Sequence, residues 1–227
     1  MIRLVDVRPR DAYLGGHVPG AVHLDPEIDL TGDLGGGRHP LPRPERFAEA
    51  VSRAGIGDDT FVLAYDEGDG WAARLWWLLR HHGHDACGTI DFRTYTGPLH
   101  SGETGIEPAR FTAVVRENDT IDADEVLARL DDPALVLVDA RAPARWRGEV
   151  EPIDRIAGRI PGARNAYFKE PLPDGLLDAP ELAVYCGSGV TACVPLMRLI
   201  LSGREDARLY PGSWSDWSTR GLPVETG

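Results

Sequence analysis

Leu4-Val5-Asp6-Val7-Arg8, at the head of the chain, returns as Leu137-Val138-Asp139-Ala140-Arg141. Two further pairs follow. Gly16-His17-Val18-Pro19-Gly20-Ala21 returns as Gly158-Arg159-Ile160-Pro161-Gly162-Ala163, and Phe61-Val62-Leu63-Ala64-Tyr65 matches the run ending at Tyr185. Short β-rich runs alternating with helical patterns predict a parallel sheet covered by helices. With 227 residues to distribute, the repeat predicts two similar α/β domains rather than one enlarged sheet. The expected division is 1–105 for the first domain, 106–120 for a linker and 121–227 for the second. From His100 to about Thr120 no periodicity is sustained, and Gly102, Gly105 and Pro108 interrupt it. Helices are predicted over Pro44–Ala54, Ala72–His81 and Asp122–Leu130, the last with Asp122 as N-cap.

The copies diverge after the shared tyrosine. The second continues Cys186-Gly187-Ser188-Gly189-Val190-Thr191-Ala192, whereas the first has Asp66-Glu67-Gly68-Asp69-Gly70-Trp71. A hydrophobic run ending in cysteine, then two glycines and an apolar helical pattern, puts the sulfur at a strand-to-helix turn. There the loop amides and the positive end of a helix favour thiolate over thiol. Glycine permits the backbone angles that such a ring of amides requires. Asp66 cannot carry transferable sulfur, and Glu67 and Asp69 repel an anionic ligand, so the first domain reads as catalytically inactive. A cleft between one active and one silent domain is the expected place for the site.

Other reactive residues read as structural. Cys87 and Cys193 suit core packing. His81, His82 and His84 cluster around Gly83 at a predicted helix end, where imidazoles complement the dipole and glycine stops the helix. No ligand spacing there suggests a metal. A net charge of -12 disfavours nucleic acid, and no apolar run is long enough for a bilayer. The start at Met1 runs directly into strand-like sequence, and three cysteines form no disulfide framework; both lead to the expectation of a reducing, cytoplasmic setting. Lys169 is the sole lysine, so anion recognition falls to guanidinium groups and backbone amides, and Schiff-base chemistry is disfavoured.

The paired Val-Asp-x-Arg and Gly-x-Ile/Val-Pro-Gly-Ala motifs, the cysteine loop and Tyr210-Pro211-Gly212-Ser213-Trp214-Ser215-Asp216-Trp217 together resemble the tandem rhodanese-family sulfurtransferases. The resemblance spans nearly the whole chain. It implies two rhodanese-like domains and a persulfide on Cys186, with no cofactor. The loop is similar to those of 3-mercaptopyruvate sulfurtransferases, because Gly187 and Ser188 stand where thiosulfate-preferring members more often carry charge. Arg145 matches the family arginine that holds the donor's anionic group. Arg155 is a candidate for a second carboxylate-binding arginine, although Pro152-Ile153-Asp154-Arg155 departs from the family spacing. Arg159 replaces a common histidine and reads equally as a surface arginine. His39 resembles a first-domain histidine that faces the active cleft, with Glu27 or Asp29 as its acidic partner; it reads equally as a loop histidine packed beside prolines.

The implied chemistry is double displacement, with a small anionic sulfur donor and a thiol, cyanide or reduced protein thiol as acceptor. Gly187, Ser188, Gly189, Val190 and Thr191 form the substrate-binding loop. Ser188 is placed to protonate a departing enolate, and Thr191 to cap the next helix. Asp139 and Arg141 brace the loop. A Cys-x5-Arg phosphatase is excluded by Ala192 at the sixth position after the cysteine. A papain-type protease is excluded because all seven histidines precede residue 101. Two readings remain beside mercaptopyruvate: a thiosulfate sulfurtransferase, and a noncatalytic sulfur-carrying or docking module.

Overall fold

The computed structural model describes residues 1–227. The chain forms two compact units, one of residues 1–34 and 41–116, the other of 35–40 and 117–227. Both follow one plan.

In the first unit, β1 (Ile2–Asp6), β2 (Val22–His23), β3 (Phe61–Asp66) and β4 (Cys87–Asp91) form a parallel sheet in the order β2-β1-β3-β4. Around it lie α1 (Arg10–Gly15), α2 (Pro44–Arg53) and α3 (Trp71–His81). In the second unit, α4 (Ala123–Ala128) precedes β5 (Leu135–Asp139), α5 (Pro143–Trp146), β6 (Arg164–Asn165), β7 (Glu181–Tyr185), α6 (Cys193–Leu201), β8 (Arg208–Leu209) and α7 (Ser213–Thr219). Its order, β6-β5-β7-β8, repeats that of the first sheet. Asp6 registers with Tyr65 and Asp139 with Tyr185, so Asp66, the last residue of β3, and Cys186, the first after β7, hold equivalent positions. Leu182, Ala183, Val184 and Tyr185 are all buried, as expected for a central parallel strand covered on both faces.

The repeated motifs form one buried device. Asp139 receives two side-chain bonds from Arg141, of 3.0 Å from Nε and 2.5 Å from Nη2, and Arg141 also donates to Gly158 O (2.6 Å). Tyr185 Oη accepts the Ile160 N–H (3.1 Å). Pro161-Gly162 then turns the chain, with Gly162 at φ 75° and Ala163 N–H reaching Ile160 O (3.1 Å). Asp6, Arg8, Gly16, Tyr65 and Val18 make the same bonds in the first unit. A buried ion pair is tolerable only when its hydrogen bonds are met, and here each arginine ties a strand end to the following turn.

Asp122 caps α4 through a 2.8 Å bond from Glu125 N–H, and the helix ends at Ala128, earlier than expected. The Thr191 cap is not made: α6 begins after Ala192, with no side-chain cap. His82 Nδ1 lies 2.7 Å from Leu78 O and His84 Nε2 2.8 Å from Thr60 O, which ties both rings to backbone at the end of α3. Residues 106–116 belong to the first unit. Ala109 N–H reaches Ser52 O (2.9 Å), Val114 N–H reaches His82 O (3.0 Å) and Arg116 N–H reaches His81 O (2.7 Å). These bonds to carbonyls at the C-terminal ends of α2 and α3 need no side-chain period in 106–116, which is why the stretch reads as linker. No helix is long and apolar enough to cross a membrane.

The loop after β3 binds its own anion. Asp66 accepts N–H bonds from Gly68, Gly70 and Ala72, all between 2.9 and 3.0 Å. Desolvation and a hydrogen bond to Asp66 push the Asp69 carboxyl up to about 6. A carboxyl raised on folding stabilises the fold below its unfolded value, and that contribution is lost as pH rises through about 6. Asp69→Asn should therefore raise the melting temperature at pH 8 and change it little at pH 4; equal shifts at both would contradict the shared-proton arrangement.

Candidate active site

Cys186 follows β7 and is almost fully enclosed, at 1% exposure. Its backbone is held from α7. Cys186 N–H donates to Ser213 Oγ (3.1 Å), Trp214 N–H to Cys186 O (3.0 Å) and Ser215 N–H to Gly187 O (2.9 Å). The first-turn amides of α7, which lack intrahelical partners, thus clamp the loop carbonyls. Ser213 adopts φ 54°, uncommon for a residue with a side chain, and its hydroxyl also donates to Tyr210 O (2.9 Å). The sequence marked this region only through its motif, and Ser213 was not singled out.

The amide that reaches the sulfur is that of Gly189, 3.2 Å from Cys186 Sγ. Gly189 has φ 82°, and a Cβ there would collide with Pro211 O, so glycine is required twice over. Gly187 differs. It is outside the left-handed region, but a Cβ would lie 3.0 Å from Arg38 Nη2 and 3.4 Å from Arg145 Nη1. Its lack of a side chain serves close approach by two guanidinium groups rather than backbone freedom. Val190 is buried, and Thr191 is half-buried.

Ser188 and His39 come together, with Nδ1 2.7 Å from Oγ. His39 arrives on the segment 35–40, which packs within the second unit although it interrupts the first in sequence. Two glycines make this seating possible. A Cβ on Gly36 would strike Asp216, and one on Gly37, at φ 89°, would strike Gly212 O. Arg38 N–H then donates to Ser215 Oγ (3.1 Å). Of the two acids considered for His39, Asp29 pairs with Arg53 (2.8 Å) and accepts the Asp25 N–H (2.8 Å).

Arg145 is steered by Glu151, which receives Nε (3.1 Å) and Nη2 (2.6 Å) and also contacts Arg141 (3.3 Å). Burial works against ionisation of Glu151, but the Arg145 hydrogen bonds, the Asp154 and Ile153 amides and the Arg145 charge together outweigh it and hold the carboxyl below its usual range. Asp154 pairs with Arg38 and lies 3.4 Å from Arg145 Nη2; burial raises its carboxyl despite both arginines. Arg155 is exposed, whereas Arg38 Nη2 lies 3.0 Å from where a Cβ on Gly187 would be. Arg159 is buried, not superficial: it lies over the Trp146 ring (4.1 Å to the centroid) and pairs with Glu225. The other cysteines are remote in chemistry. Cys87 Sγ contacts Trp76 O (3.7 Å), and burial pushes its thiol up to about 12; Cys193 Sγ donates to Gly189 O (3.4 Å).

The family model of the rhodanese-like domain matches residues 1–91 and 122–220. The chain belongs to the rhodanese family. It is 41% identical to the "Probable 3-mercaptopyruvate sulfurtransferase" of Pseudomonas aeruginosa, over 95% of this chain and 86% of that one. The crystal structure of SseA from Escherichia coli, described as a 3-mercaptopyruvate sulfotransferase of rhodanese fold, aligns with TM-score 0.79. It is 31% identical, over 94% of this chain and 93% of the other. A structure described as "Probable Thiosulfate Sulfurtransferase" aligns with TM-score 0.67 at 30% identity, over 98% and 96% of the two chains. This rhodanese-family chain is accordingly an enzyme of the sulfurtransferase class, taking sulfur from a donor and passing it to an acceptor.

The clamp from α7 is testable apart from the sulfur. Ser213→Ala leaves the buried Cys186 N–H without its acceptor, which costs about 1–3 kcal/mol. A lower melting temperature together with slower turnover is expected; an unchanged melt would show that the clamp contributes nothing.

Proposed function

We propose that the protein is a 3-mercaptopyruvate sulfurtransferase working through a persulfide on Cys186. The observation that carries this reading is the 2.7 Å contact between Ser188 Oγ and His39 Nδ1, two residues along from the cysteine. Cys186 thiolate attacks the donor sulfur, the carbon–sulfur bond breaks, and its electron pair leaves on the enolate of pyruvate. That carbanion needs a proton. Ser188 supplies it and His39 resupplies Ser188, a relay that sulfite, leaving from thiosulfate as a stable anion, does not require. The sulfur remains as Cys186 persulfide. A thiolate, cyanide or a reduced protein thiol then attacks the outer sulfur and regenerates the Cys186 thiolate.

Arg145 holds the donor's anionic end, and Gly189 N–H stabilises charge on the sulfur in both steps. The first domain is inactive on this reading, because the Asp66 carboxyl group fills its loop where a sulfur would be needed. The likeness to a thiosulfate sulfurtransferase supports thiosulfate as the second reading, by the same covalent route.

Steady-state comparison of the two donors is the test. The expectation is a higher kcat/KM for mercaptopyruvate, and a clear preference for thiosulfate would reverse the assignment. Ser188→Ala should lower kcat with mercaptopyruvate by about a hundredfold while sparing thiosulfate turnover; equal losses would remove the proton relay. Cys186→Ser should abolish transfer and the sulfur adduct seen by mass spectrometry, whereas Cys87→Ser and Cys193→Ser should retain most activity. Comparable losses in all three would reject Cys186 as the carrier.

A further inference from the structure

We infer that residues 223–227 form a strap that positions the donor-binding helix α5, with Arg159 and Glu225 as positioning residues for the first half of the reaction. This inference rests on the reading of Arg145 as the donor's anchor and holds for either donor.

The helix α5 is a single turn, Pro143–Trp146, too short to fix its own place. The last carbonyls of a helix lack intrahelical partners, and here the strap and Arg159 supply them. Gly227 N–H donates to Arg147 O (2.9 Å), and Arg159 Nη1 donates to Trp146 O (3.3 Å). The Arg159 guanidinium also covers the Trp146 ring at 4.1 Å, so it grips the residue next to Arg145 by both backbone and side chain.

Glu225 ties Arg159 to the strap. The two residues exchange backbone hydrogen bonds of 2.9 and 3.0 Å, and their side chains form an ion pair. The other Glu225 oxygen accepts the Gly162 N–H (2.7 Å), in the turn that follows Arg159. That amide and the guanidinium outweigh desolvation and keep the Glu225 carboxyl below its usual range, so the pair is ionic at neutral pH. At its other end the strap is held by Trp217, whose Nε1 donates to Pro223 O (2.8 Å). Two glycines admit it at contact distance. A Cβ on Gly158, at φ 128°, would lie 2.5 Å from Val224 Cγ1, and one on Gly148 would lie 2.9 Å from Thr226 Cγ2.

The first unit isolates what the charge adds. There His17 and His100 exchange backbone bonds of 2.8 and 2.9 Å, Gly102 N–H donates to Leu14 O (2.9 Å), and the His17 ring stacks on Tyr13 at 4.2 Å. The backbone strap is therefore common to both units, as part of the fold. The ion pair is not: His17 sets its ring nitrogens against Tyr13 O and Thr104 Oγ1. Counting from Arg8 and Arg141, Ala12 stands where the second unit has Arg145. The charged clamp thus accompanies the helix that carries the arginine and is missing from the one that does not.

Double displacement separates positioning from general loosening. The donor's kcat/KM reports only the first half-reaction, and the acceptor's only the second. Glu225→Gln, at a side chain 41% exposed, and Arg159→Lys are to be assayed alone and combined with Arg145→Gln. The donor is whichever of mercaptopyruvate and thiosulfate the enzyme prefers, and cyanide is the acceptor. Each single variant should lower the donor's kcat/KM roughly 5- to 30-fold, through KM, and leave the acceptor's within about twofold. In the Arg145→Gln background either change should lower it little further, because the strap acts through that side chain. Equal losses in both half-reactions would make the strap merely structural. No loss, or a loss that simply multiplies that of Arg145→Gln, would overturn the inference. Failure of the underlying reading looks different: Arg145→Gln would then itself leave the donor's kcat/KM unchanged.

Discussion

The active loop depends on three hydrogen bonds from the start of α7. Ser213 Oγ receives the Cys186 N–H, while the amides of Trp214 and Ser215 hold the carbonyls of Cys186 and Gly187. Without them, a glycine-rich loop at a strand end would sample many conformations, and an amide 3.2 Å from the sulfur would be one state among several. The clamp turns a flexible sequence into a rigid one without adding bulk near the reacting atom. It also explains why the motif after β8 accompanies the cysteine loop: the two segments are halves of one hydrogen-bonded unit.

Comparing the copies shows what duplication kept and what it released. The ion pair at the end of the first strand, the tyrosine that anchors the proline turn and the order of the sheet are the same in both. These are conditions for burying a parallel sheet. The residue just past the central strand is free of that condition, and there the copies part. In one, loop amides converge on Asp66; in the other, Gly189 turns its amide to a sulfur. The same kind of loop therefore surrounds a carboxyl group in one unit and a thiol-bearing side chain in the other.

Much of this was legible in the sequence. The repeats gave away the two α/β units, since each motif residue has a local role in a strand end or turn. Cys186, Ser188 and Arg145 stood out in the sequence because they lie within such motifs. Arg38, Glu151 and Asp154 were not, because their roles depend on which carboxylate each guanidinium meets, and pairing between distant segments leaves no periodic trace. Gly187 was read correctly as necessary but for the wrong reason: the constraint is proximity to arginine, not backbone angle. The Thr191 cap failed because α6 begins one residue later than its hydroxyl could serve.

The six residues 35–40 give the tandem arrangement its permanence. They are encoded in the first half yet fold with the second. A C-terminal fragment cut between the repeats would lack residues 35–40, which belong to its own compact unit. Selection on the chemistry of one half thereby extends to loop length and glycine content in the other.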